Sequence, residues 1–223
     1  MDLPGLDWQF FYGRLAWTIV LAAVVAGVLP AGWRRSHRFT GGLLLASGAL
    51  MALPGEASPA YWLVLAFQWP SGVLLGFCAL KLMAAMPGSP PAVSMPAPIA
   101  ALIALTGAIL YLDAIGLLSI GLYYWGFGPY GAPMVALCAA AACALLAVAG
   151  HARKHALVAL AGLALFSILR LPTGNLWDAL LDPMLWGWAV VSLGMKGFYR
   201  AAQHARVSHR TLSIRRSKVS GNS

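Results

Sequence analysis

Apolar residues run along this chain in long uninterrupted stretches, separated by short clusters of proline, glycine and charge, and they never alternate with polar residues over a strand's length. Such runs predict membrane-spanning helices, which need about 20 apolar residues to cross, whereas a barrel reads as short alternating segments. The expected architecture is an all-α, polytopic transmembrane bundle with spans at 11–29, 40–53, 61–86, 99–118, 134–150, 156–171 and 183–199. The second run, Thr40 to Leu53, is short before Pro54 and Pro59, and six spans is the alternative if it does not cross.

Within this frame the punctuation predicts local features. Gln68, Trp69 and Pro70 interrupt the third span, and a proline there removes a backbone donor, so a kink is expected near Ala66 to Pro70. Gly72 and Gly76 follow in a GxxxG pattern that admits a close neighbouring helix. Five prolines between Pro87 and Pro98 predict an extended connector. Met134 to Gly150 holds eight alanines, the composition of a closely packed interior helix. Asn175 to Leu181 reads as a short amphipathic helix, and Asp182 followed by Pro183 reads as a cap and first turn of the last span.

Composition agrees with the pattern and charge orients it. Of 223 residues, 61% are hydrophobic and 9% charged, against about 25% charged in soluble domains. The net charge of +9 comes from clusters at the ends of apolar runs: Arg34, Arg35 and Arg38; Arg153 and Lys154; and a tail over 200–223 with Arg206, Arg210, Arg215, Arg216 and Lys218 but no acid. This is a positive-inside distribution and not a nucleic-acid surface. It divides the chain into a helical domain over 1–199 and a polybasic cytoplasmic tail, places the amino terminus outside, and gives the tail anionic lipid as its partner. Asp2, Asp7, Glu56, Asp178 and Asp182 fall on the outer side. The first run is preceded by no basic segment, so it is expected to remain as a span.

Candidate chemistry is sparse. Cys78, Cys138 and Cys143 lie in apolar segments without a CxxC spacing, and all five histidines fall in loops or the tail, which excludes a haem pair within the spans. No HExxH or GxSxG motif is present, and no catalytic residue or cofactor is assigned. Glu56, Asp178 and Asp182 offer oxygen ligands, but capping accounts for the aspartates and no metal is assigned. Lys196 lies near the end of the last span and not midway, which argues against a retinal site. The last three spans hold no counterpart of the Gln68 to Pro70 interruption, which argues against a transporter of paired triplets.

One layer stands out. Counted from the cytoplasmic ends, Arg14, Asp113 and Arg170 lie at one depth, about 21–22 Å up, in the outer half of the membrane with Gln68. They read either as the floor of an outward-facing cavity roofed by the aromatic loop at Tyr124, suited to an anion, or as snorkelling arginines with Asp113 paired structurally. The expected function is therefore a multipass inner-membrane protein of a bacterium, a non-enzymatic subunit or accessory of a cell-envelope assembly with membrane lipids and other membrane proteins as partners. The alternative is a small transporter or lipid-handling protein whose cavity is lined by Arg14, Gln68, Asp113, Tyr124 and Arg170.

Overall fold

The computed structural model describes residues 5–29, 36–86, 95–150, 152–199 and 203, and the described residues are helical with no strand. In chain order the helices are α1 (Leu6–Val28), α2 (His37–Met51), α3 (Pro59–Phe67), α4 (Gly72–Ala84), α5 (Ala97–Ala114), the one-turn α6 (Leu122–Trp125), α7 (Gly131–Val148), α8 (Arg153–Leu169), the short α9 (Leu176–Leu180) and α10 over residues 183–199. Three of them, α1, α5 and α7, are each long and apolar enough to cross a membrane. The polybasic tail and most of the proline-rich connector lie outside the described residues.

Packing between specific residues gives the helices their directions. The Tyr12 hydroxyl donates to the Pro70 carbonyl at 2.7 Å, while near their other ends Gly27 faces the Lys81 ammonium, so α1 and α4 run the same way. On α8, Gly162 lies against Gly72 and Val158 against Gly76, and the His155 ring meets Phe77 at 5.1 Å, so α8 runs opposite to α4. Trp186 of α10 packs on Gly107 of α5, and its indole N–H donates to the Ala104 carbonyl at 2.9 Å. The Lys196 ammonium reaches the Met95 carbonyl, which sets α10 antiparallel to α5. The GxxxG pair thus does what its spacing predicts: a Cβ at Gly76 would sit 2.4 Å from a Val158 methyl.

These directions sort the charges. Asp7, Glu56, Asp113, Asp178 and Asp182 fall at one end of the bundle, hereafter the acidic end, which also holds the loops at 52–58, 115–130 and 170–182. Arg38, Lys81, Arg153, Lys154 and Lys196 fall at the other, the basic end, and of the described lysines and arginines Arg14 and Arg170 are at the acidic end.

The main core lies between α1, α4, α5 and α10, with Trp17, Val20, Leu74, Phe77, Ala100 and Leu185 among its buried residues. A second cluster joins α7, α8 and α9 through Ala132, Leu163, Phe166 and Leu176.

Two expectations are corrected here. The interruption in the third span is not a kink but a complete break: α3 ends at Phe67, α4 begins at Gly72, and Gln68 takes φ 60° and ψ −148°, which no helix tolerates. The alanine-rich fifth run is not an interior helix. In α7 only Ala132 is buried, because small side chains make the helix thin without giving it neighbours on more than one face, and Leu137, Leu145 and Val148 point outward. Smaller differences are of register: α5 stops at Ala114, short of the expected Leu118, because Asp113 turns its carboxylate to the following loop.

Candidate functional site at the acidic end

Four side chains hold the broken pair α3 and α4 in place. Ser58 caps α3, with its hydroxyl accepting from the Ala60 N–H and donating to the Met51 carbonyl at 2.9 Å, so α2 and α3 share one joint. Ser71 caps α4 through its hydroxyl and the Leu74 N–H at 3.0 Å. Trp69, between the two helices, lies against Gly13 of α1, where a Cβ would fall 1.8 Å from the ring. At the break the Pro70 carbonyl accepts the Tyr12 hydroxyl and the Gln68 N–H donates to the Val64 carbonyl, so these backbone groups are satisfied within protein.

The fourth support is Asp182, whose side chain is 4% exposed. One carboxylate oxygen accepts the Ser71 N–H at 2.8 Å, the other the Leu185 N–H at 2.8 Å. The amino-terminal ends of α4 and α10 thus converge on one carboxylate, and both carry the partial positive charge of a helix start. Discontinuous helices often turn such ends toward an anionic ligand. Here the chain fills that position with its own carboxyl group.

Asp113 does similar work at the rim. Its carboxylate accepts the N–H groups of Ile120 at 2.7 Å, Gly121 at 2.9 Å and Tyr123 at 2.9 Å, closing the loop after α5 and capping α6. Its side chain is 7% exposed, but the cover is its own loop and not the bundle interior. The loop is in turn docked on the segment before α10: the Leu176 N–H donates to the Gly126 carbonyl at 3.0 Å, the Trp177 indole to the Leu122 carbonyl at 2.9 Å, and the Asn175 amide to the Tyr123 carbonyl at 3.3 Å. Asp178 completes the joint, accepting from the Thr173 hydroxyl at 2.6 Å and the Tyr123 hydroxyl at 3.1 Å. Burial pushes the Asp178 carboxyl above the usual carboxylate range, against the lowering effect of those two hydroxyls, and the nearby Asp182 charge adds to the rise.

The residues expected to share a layer are consequently dispersed. Asp113 is engaged by backbone N–H groups and not by an arginine. Arg170 ends α8 in a left-handed conformation, with its guanidinium 5.0 Å from the centre of the Phe166 ring. Tyr124 is 75% exposed and points away from the bundle, and Gln68 is exposed at the break. Arg14 lines a groove of about 320 Å³ between α1 and α3 whose other walls include Phe10, Tyr61, Val64, Leu65 and Trp69, and Gln68, Asp113, Tyr124 and Arg170 are not among them. The aromatic loop contributes no residue to it.

Sequence reasoning missed the double use of Asp182. The Asp–Pro pair signals a cap, but nothing local signals that the same carboxylate will also hold Ser71, 111 residues away in the chain. Among the described residues, no three His, Cys, Asp or Glu side chains are grouped to hold a metal ion. Comparison with protein-family models, curated proteins and solved structures finds no match, so the site is read from its own geometry.

Proposed function

We propose that the chain is a seven-span integral protein of a bacterial inner membrane, a non-enzymatic subunit or accessory of a cell-envelope assembly. The observation that carries the membrane placement is the separation of charge between the ends of an apolar bundle. All five described carboxylates gather at one end, five of the seven described lysines and arginines at the other, and the positive-inside rule puts the basic end in the cytoplasm. The seven crossings are α1, α2, the broken pair α3 and α4, α5, α7, α8 and α10, which leaves the amino terminus outside and the tail inside. At 15 residues, α2 reaches about 22 Å, so its crossing needs local thinning of the bilayer or support from its neighbours.

The accessory reading is supported by the use made of the polar side chains. Asp113, Asp178 and Asp182 each close a joint between segments, which is the work of a scaffold. Native mass spectrometry of the chain, extracted from its host in mild detergent, tests this: a partner protein at fixed stoichiometry is expected, and a chain that always runs alone overturns the accessory role. Reporter fusions after residues 54, 116 and 199 test the crossings, with the first two expected outside and the third inside.

A further inference from the structure

We infer that the groove between α1 and α3 is a binding site for a phospholipid, held by its phosphate on Arg14 with one acyl chain in the apolar trough. Arg14 lies about 12 Å along α1 from Leu6, a depth at which a bare guanidinium is costly. Its carbonyl accepts the Thr18 hydroxyl at 2.7 Å, but its guanidinium has no acceptor among the described residues. Of the described carboxylates that share its end of the bundle, Asp113 is engaged by its loop, Asp178 by two hydroxyls and Asp182 by two helix starts, and neither Asp7 nor Glu56 forms an ion pair with Arg14. Among the described residues, the five N–H donors of Arg14 therefore meet no protein acceptor and face a ligand or solvent.

The shape beside Arg14 selects the ligand. The groove is walled by Phe10, Tyr61, Val64, Leu65 and Trp69, and its volume of about 320 Å³ lies at the small end of ligand sites. Water gains little in an apolar trough, whereas a hydrocarbon chain matches it. A planar guanidinium at the edge of such a trough pairs bidentately with phosphate. The joint Ser58 makes between α2 and α3, together with the Trp69 contact on Gly13, holds the walls in place without help from a ligand.

The inference rests on the membrane placement above and is independent of the accessory role. The test uses the full chain, stripped of lipid in detergent and titrated with phosphatidylglycerol or with diacylglycerol of the same acyl chains, read by native mass spectrometry. Wild type is expected to retain phosphatidylglycerol over diacylglycerol, Arg14→Gln to lose roughly tenfold of that preference, and Arg14→Lys to keep part of it. Val64→Trp, which fills the trough, is expected to weaken both lipids. Equal retention of phosphatidylglycerol by Arg14→Gln and wild type overturns the site. Displacement by millimolar inorganic phosphate overturns it too, as the mark of an anion site without a lipid. A chain recovered in the soluble fraction without detergent fails the membrane placement itself, which separates that failure from loss of the groove alone.

Discussion

Asp182 accepts the backbone N–H of Ser71 at 2.8 Å while its second oxygen holds the start of α10 through Leu185. One buried carboxylate therefore fixes the far side of the α3–α4 break to the last helix, and the two helix starts it joins supply the positive potential that keeps it there.

Substitution of Asp182 tests that relationship. Asp182→Ala leaves two buried N–H groups without acceptors, each costing about 1–3 kcal/mol, and is expected to lower stability by roughly 2–4 kcal/mol. Asp182→Asn keeps one acceptor oxygen and should fall between. Thermal unfolding in detergent gives the order; an alanine variant as stable as wild type would mean that water or lipid replaces the carboxylate.

Asp113 is expected to matter for the loop and not for the arginines. Asp113→Ala frees three N–H groups and should lower the melting temperature and raise proteolysis within 115–130. Arg14→Gln should leave both unchanged. In the double variant Asp113→Ala, Arg14→Gln the effects should add, because the two side chains share no partner. Coupling of 0.5 kcal/mol or more between them would restore the charged layer that residue counting places there.

The contrast shows what the chain makes legible. Helix positions, the Asn175 and Asp182 caps and the GxxxG contact all follow from local spacing, since each depends on residues within a turn or two. Residue counting assigns a depth along a helix, but it gives no azimuth. It assigns Arg14, Asp113 and Arg170 one depth, yet Arg14 faces the α3 groove, Asp113 its own loop and Arg170 the Phe166 ring. The exposure of α7 was hidden for the same reason: composition measures how closely a neighbour can approach, not whether one does.

Acid should stabilise the joint between Asp178 and Tyr123. A carboxyl whose folded pKa is raised binds protons more readily folded than unfolded, so its contribution to stability is full below the unfolded value near 3.8 and is lost as pH rises through the folded value. The melting temperature of wild type relative to Asp178→Asn is therefore expected to rise as pH falls from 7 toward 4. Taking the difference removes most of the contribution of Asp182, the other buried carboxyl beside it. A difference that is flat with pH would mean that the Thr173 and Tyr123 hydroxyls offset burial completely.

Gln68 separates the needs of the fold from those of a site. At φ 60° and ψ −148° it occupies a region that is nearly glycine's alone, a strain of about 1–3 kcal/mol for a residue with a Cβ. Gln68→Gly relieves that strain and gives back about 0.4–1 kcal/mol through the freer unfolded chain, so a net gain near 1 kcal/mol is expected in thermal unfolding. Its side chain is exposed, so no buried contact offsets the gain. Gln68→Ala keeps the Cβ and should bring no comparable gain, which isolates the backbone effect from loss of the amide. If the glycine variant is instead less stable than wild type, the amide has a stabilising partner that the bare chain does not present, and the break itself becomes the place to look for a bound lipid or a neighbouring protein.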